Sequence, residues 1–253
     1  MHRPPDREYL ACGPVEKGVS VASGTVEFLA RTPPFDELPA ALVARLAGRA
    51  EGVEVPIRGT VWAPGDAITH VVVVRRGAVK VWAGDHEARW VTLGLYGRGS
   101  VLCEQGVLEA DAAHADAASA FDESAVVRLP VELVRTAASV SAPFALGLGA
   151  LAARRAQRLE RRLGLLLHRS AHARLAALFL ALSSDFGVRD SRGVIINLKL
   201  THRELAALIG VTRETVSVTM QELRRQGLVA ADGKRPVLLD ERRLQQLAAG
   251  EDP

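Results

Sequence analysis

The spacing of apolar residues changes character along the chain. Within a region from about residue 25 to 137 they come in short, β-branched runs at 53–57, 59–62, 68–74, 78–82, 90–95, 101–102 and 125–129. Turn residues separate the runs: Pro64-Gly65-Asp66, Arg76-Gly77, Gly84-Asp85 and Gly97-Arg98-Gly99-Ser100. Many short strands at close spacing predict an all-β sandwich or small barrel. A short helix is expected before them, over the ALVARLAGRA run after Phe35-Asp36-Glu37-Leu38-Pro39. Between Glu104 and Phe121 an Ala-rich, acidic stretch reads as a helical turn or loop over one end of the β unit.

Beyond residue 140 the period becomes helical. Residues 141–167 predict one long helix, with Leu148, Ala152, Leu159, Leu163 and Leu166 near one face and Arg154, Arg158, Arg161 and Arg162 largely elsewhere. Such a seam fits a dimer coiled coil or packing on the helix's own β domain, and both can hold for different turns. A second helix ends near Gly187, which puts a hinge near residues 168–170.

Residues 200–239 carry the most specific pattern. Thr201 followed by Glu204 is a capping box that starts a helix. Leu205, Leu208 and Ile209 give that helix an apolar face, and small Ala206 suits a close helix crossing. Gly210 ends it in the manner of a left-handed C-terminal residue. Val211 fills the turn, Thr212 caps the next helix, and Val216, Met220 and Leu223 continue an apolar stripe. The other face of this second helix begins with Arg213, Glu214 and Ser217, side chains able to read base edges in a major groove. Asp232-Gly233 marks a tight turn between two short apolar runs, hence a hairpin. Together these predict a winged helix-turn-helix that binds duplex DNA.

Charge supports this division. Residues 1–140 carry 14 basic and 18 acidic side chains, whereas 141–253 carry 18 basic and 11 acidic, so the basic half contains the expected DNA-reading element. No apolar run approaches the roughly 18 residues needed to span a bilayer, so no membrane association is expected. The N-terminal segment has no apolar core of signal-peptide type and reads as a polar, Pro-containing tail without fixed structure. Cys12 and Cys103 are the only cysteines, too few for a disulfide framework or a cysteine-ligated cluster. A cytoplasmic location follows by default.

A β-roll, a long central helix and a C-terminal winged helix-turn-helix resemble the cyclic-AMP receptor / fumarate-nitrate regulator (Crp/Fnr) family of bacterial transcription factors over roughly residues 25–250. The sharpest matches are THRELAALIGVTRETVS and the wing ADGK; weaker ones are Ala63-Pro64-Gly65-Asp66, RRGAVKVW and GRGSVLCE. The implied fold is α+β: a tail at 1–24, a jelly-roll-like β-roll effector domain at 25–137, a dimerisation helix at 138–168 and the DNA-binding domain at 169–253. The implied partners are a palindromic DNA site, a second copy of the chain and RNA polymerase. By the same resemblance Arg213 hydrogen-bonds guanine, Glu214 accepts from cytosine, and Thr201, Arg203, Thr212 and Thr215 contact phosphates or neighbouring groups. Ser217 joins them on the exposed face, and Lys234 is the wing's phosphate contact. Val218 departs from the pattern, standing where a second base-reading arginine often sits. Thr219 is polar where an aliphatic core residue is usual.

The effector domain departs further. Family members that bind cyclic AMP resemble one another in a Gly-Glu pair followed by an Arg-Ser pair. Here the first pair is Cys103-Glu104, and between Arg98 and Arg128 only His114 offers a cation. A buried phosphate without an arginine or helix N-terminus suffers a large desolvation cost, so no cyclic-nucleotide binding is expected. His70 and His86 are the conceivable haem ligands, but a lone strand or turn histidine reads as structural or solvated. Cys103, between Leu102 and Glu104, reads as a buried structural thiol rather than a redox switch. The expected function is a homodimeric regulator active without cyclic AMP, with no catalytic, cofactor or metal site. Its alternatives are the same DNA-binding role gated by an unidentified ligand near Glu104 and, remotely, a cupin-like metal enzyme. For the last, His70, His86 and His114 sit apart with no His-x-His spacing.

Overall fold

A computed structural model describes residues 24–84, 90–168 and 170–250. The polar tail with Cys12, the second half of the Gly84-Asp85 turn, His86 and residue 169 of the expected hinge lie outside the described residues. The chain divides into two compact units, Met1–Gln157 and Arg158–Pro253. The α+β class forms as expected, with two β-sheets first, then a long helix, then a helix-turn-helix with its own small sheet.

In the first unit, helices α1 (Thr25–Ala30) and α2 (Ala40–Ala47) precede eight antiparallel strands: β1 (Glu51–Val55), β2 (Thr60–Trp62), β3 (His70–Arg76), β4 (Val79–Gly84), β5 (Trp90–Tyr96), β6 (Val101–Leu102), β7 (Ala117–Ala120) and β8 (Ser124–Pro130). They form two four-stranded sheets, in the orders β1-β8-β3-β6 and β2-β7-β4-β5. Helix α3 (Gln105–Leu108) is a single turn after β6, and α4 (Val131–Val140) leads into α5 (Ala142–His168).

Strand β3 shows how the unit is layered. Val72 and Val74 pack between the sheets with Val53, Val79, Val81, Leu102 and Val126. Val71 and Val73 point the other way, onto Leu29, Val43, Val134, Phe144 and Leu148 of the helices. A strand buried on both faces reads as a continuous apolar run rather than an alternating one. The first turns of α5 therefore pack on the β unit through Phe144 and Leu148, both fully buried, whereas Leu146 and Leu163 of the same helix are exposed in this single chain.

Three elements differ from expectation. The acidic stretch from Glu104 to Phe121 holds not only the helical turn α3 but also β7, which lies between β2 and β4. Its sequence AASA has little β propensity. The strand forms because small side chains fit beside large ones: Ala118 lies opposite Trp62, and Ala117 opposite Trp82. Helix α4 is separate from α5, broken at Ser141, whose backbone is extended. The third difference lies in the second unit. Besides α6 (Ala171–Phe186), α7 (His202–Ile209), α8 (Arg213–Arg225) and α9 (Glu241–Ala249), it holds a four-stranded sheet rather than a lone hairpin. There β9 (Gly187–Asp190) and β10 (Gly193–Ile196) join the wing strands β11 (Val229–Asp232) and β12 (Arg235–Leu238). All four residues of β9 are exposed, so no apolar pattern announces it.

The tight packing of β7 has a measurable consequence. Ala118→Leu is expected to overpack the inter-sheet core and destabilise the chain by about 1–3 kcal/mol. Ser119→Thr, on a half-buried site where the hydroxyl accepts from Trp82 Nε1, is expected to change stability by less than about 0.5 kcal/mol. Urea unfolding of the two variants checks the contrast.

Candidate nucleic-acid interface

Helix α7 starts where local chemistry dictates. Thr201 accepts from the Glu204 backbone amide, and the Glu204 carboxylate accepts from the Thr201 amide at 2.6 Å, completing the capping box. Helix α7 ends at Gly210, whose φ of 67° is left-handed, and a side chain there would meet Leu166 at 2.8 Å. The last carbonyls of α7 have no partners within the helix. Guanidinium groups supply them: Arg162 donates to Leu208 O at 2.6 Å and Arg174 to Ile209 O at 3.3 Å. Positive charge at a helix C-terminus also opposes the partial negative charge of the dipole.

Thr212 then caps α8 by accepting from the Thr215 amide. Val216, Met220 and Leu223 turn inward and are buried. Thr219 is buried beside them at 2 % exposure, and nothing in the structure explains a hydroxyl there. Arg213, Glu214 and Val218 face solvent. The wing turn is Gly233-Lys234, one residue later than the Asp232-Gly233 signal, because Asp232 pairs with Arg235 across the hairpin.

The expected DNA-facing residues fall into two groups. Arg203, Arg213, Glu214 and Lys234 are exposed. The hydroxyls of Thr201, Thr212, Thr215 and Ser217 are instead engaged within the domain, the first three at helix starts. Ser217 Oγ donates to Arg213 O at 3.0 Å and lies 2.8 Å from His202 Nδ1. Between α7, α8 and the wing runs an open groove of about 290 Å³. It brings Thr201, Arg203, Arg213 and Lys234 together and adds His202, Arg224 and Arg235, which sequence reasoning missed. Arg224 was findable, since a spacing of 11 residues from Arg213 returns to nearly the same helical face. Five cationic side chains around one concave surface form an electrostatic footprint for a polyanion.

Comparison with known proteins agrees with this geometry. Residues 173–247 match the Crp-like helix-turn-helix domain. The global nitrogen regulator of Synechococcus elongatus is 31% identical over 181 residues, covering 70% of this chain and 80% of that protein. The chain belongs to the Crp/Fnr family of transcriptional regulators. A CRP-like cAMP-activated global transcriptional regulator of Mycobacterium tuberculosis is 24% identical over 222 residues, covering 88% of this chain and 99% of that one. Among solved structures, FixK2 from Bradyrhizobium japonicum matches with a TM-score of 0.71 at 22% identity, covering 81% of this chain and 98% of that one, a likeness of fold. As a Crp/Fnr member the chain is a transcriptional regulator with a DNA-binding helix-turn-helix, and no catalytic family is indicated. No helix among the described residues is long and apolar enough to cross a membrane.

The regulator's β unit places Cys103 and Glu104 side by side, both almost fully buried. Cys103 has a φ of 68°, the left-handed region, at the position the family resemblance assigns to glycine. Burial pushes its thiol well above the usual range, as expected of a structural rather than a reactive cysteine. Glu104 is not isolated. Arg155 on α5 reaches its carboxylate at 2.9 Å, donates to Val101 O at 3.2 Å and lies over the Tyr96 ring. The span between Arg98 and Arg128 holds no arginine, but the fold imports one from 51 residues beyond Glu104. His114, the cation foreseen in that span, is buried and stacked on Trp62 at 4.6 Å; burial holds its pKa below the ordinary value. His70 sits on β3 against Thr69 and Arg128. Among the described residues, no group of three or more His, Cys, Asp or Glu side chains could hold a metal ion.

Burial raises the Glu104 pKa, and Arg155 opposes that rise. Removing the guanidinium leaves a buried carboxylate without its counter-charge, so Arg155→Met is expected to destabilise the chain by about 3 kcal/mol at about pH 7.5. With the folded-state pKa of Glu104 then further above its unfolded value, the penalty shrinks as pH falls towards 5 and grows as pH rises. Urea unfolding at the two pH values checks this, and adding Glu104→Gln should restore most of the loss at the higher pH.

Proposed function

We propose that this regulator is a homodimer that reads a palindromic DNA site without requiring cyclic AMP. The carrying observation is twofold: one unit holds an exposed, well-capped helix α8, and in the other the buried acidic position is already matched by an internal guanidinium. A cyclic phosphate entering beside Glu104 would have to displace Arg155 from that carboxylate and from Val101 O. The exposed Leu146 and Leu163 of α5 supply apolar surface for a second copy, on turns that the chain's own core does not cover. The M. tuberculosis relative carries the name of a cAMP-activated regulator; in the present chain the buried Glu104 is held by Arg155.

In this reading Arg213 takes guanine O6 and N7 through its bidentate fork, and Glu214 accepts from cytosine N4. Arg203 and Lys234 hold phosphates on either side. Thr201 and Thr212 act first as caps that aim these side chains, Thr215 holds the Thr212 hydroxyl, and Ser217 lies in the same face. Val218 offers a thymine methyl only apolar contact, so part of each half-site is read loosely. Two reading helices in successive major grooves require half-sites about one helical turn, roughly 34 Å, apart. Seated at a promoter, the dimer acts through contact with RNA polymerase or by excluding it.

Selection of bound duplexes from a random pool, with and without cyclic AMP, tests the reading. The same two-fold symmetric motif is expected in both arms, and enrichment only with the nucleotide overturns it. Within the selected site Arg213→Ala is expected to cost about 1–3 kcal/mol and to relax one base pair. Lys234→Ala should weaken all sequences alike and reduce the salt slope by about one. Titrations of matched and mismatched duplexes over a salt series separate the two effects.

A further inference from the structure

His202 has no role in the reading above, yet it lies where DNA phosphate would enter. It follows the cap Thr201, is half-buried, and lines the groove between α7, α8 and the wing. Its Nδ1 is 2.8 Å from Ser217 Oγ. Ser217 has a single hydroxyl proton, which it donates to Arg213 O. The hydrogen-bond network therefore assigns the Nδ1 proton to the neutral ring, directed at Ser217 Oγ. That leaves Nε2 as a bare lone pair, which repels a phosphate oxygen; once protonated it becomes a donor.

The charges around the ring point the same way. On α8, Arg213 and Arg224 face it; on its own helix Arg203 follows; from the wing come Lys234 and Arg235. Of the acids on these elements, Glu204 is engaged by the Thr201 cap, Asp232 by Arg235 and Glu222 by Arg225, while Glu214 stands exposed after Arg213 at the start of α8. In the free domain a proton on His202 adds one more cation to a cluster of cations. A phosphate in the groove reverses that balance, because the new N–H donates to it and its charge offsets the arginines.

We propose that DNA binding by this regulator is proton-linked: each subunit's His202 takes up a proton as a backbone phosphate enters the groove between α8 and the wing. This rests on the reading of the domain as a DNA-binding module and adds to it a dependence on pH. In the free domain burial, Arg224 and Arg213 all hold the His202 pKa below its ordinary value. The bound phosphate raises it. Affinity therefore rises as pH falls through the window between the bound and free values, and levels off below the free one. Because the contact is to phosphate, it strengthens all sequences alike rather than changing the motif.

The test is fluorescence anisotropy of the full-length protein with its selected duplex and with a random duplex of equal length, from about pH 8 to about pH 5.5 at fixed ionic strength. Wild-type affinity for both duplexes is expected to rise about tenfold per engaged subunit as pH falls, since a linked proton gives at most one decade per pH unit. At low pH the salt slope should steepen by about 0.9 per subunit, one more phosphate being neutralised. His202→Gln can keep a donor towards Ser217 but cannot titrate. Its affinity should be the same at every pH, with neither the pH dependence nor the extra salt slope, and its circular dichroism and urea midpoint report that it folds. His202→Arg should hold the tighter affinity at every pH. A flat wild-type profile, or a His202→Gln variant that keeps the wild-type pH dependence, overturns the proposal. Absence of binding to any duplex at any pH overturns the DNA-binding reading itself, and the proton linkage with it.

Discussion

The helix-turn-helix depends on one constraint: a largely polar helix must be held at a fixed angle by what precedes it. Helix α8 commits only Val216, Thr219, Met220 and Leu223 to the interior. Its direction is set by the turn before it, where Gly210 takes a left-handed backbone, its amide donates to Ala206 O, and the ends of α7 and the start of α8 are capped by side chains. Arg162 and Arg174 complete the arrangement by closing the free end of α7. Propensity alone would leave so short and polar a segment marginal in water.

The same economy explains what could be read from the chain. Capping box, left-handed glycine and second cap are local patterns, each complete within five residues, and all three form at Thr201, Gly210 and Thr212. Features set by distant partners were not legible. Strand β7 consists of alanine and serine and exists because Trp62 and Trp82 need small neighbours. Strand β9 has no buried residue and is held by the register of β10. Arg155 was passed over when the arginines of its helix were read, because its meaning comes from Glu104 far upstream. His202 sat inside the best-recognised motif, but its contact with Ser217 joins two helices across 15 residues.

In the β unit, the double-sided burial of β3 lets one strand serve two cores, one between the sheets and one beneath the helices. Cys103 and Glu104 follow β6, which pairs directly with β3. A buried ion pair there is weak evidence of stability, because desolvation offsets much of the attraction. Its value lies in geometry: a guanidinium that must meet one carboxylate, one carbonyl and one ring leaves few positions for the first part of α5.

Cys103 gives this unit a built-in clock. A thiol 1 % exposed and held protonated by burial does not meet an alkylating reagent while the sheets are closed. Each modification event therefore records an opening of the region around β6, and its rate measures the free energy of that opening, as amide exchange does for the backbone. Peptide mapping separates it from Cys12, the other cysteine of the chain. The regulator thus carries its own reporter of local unfolding, read without a tag or an introduced residue.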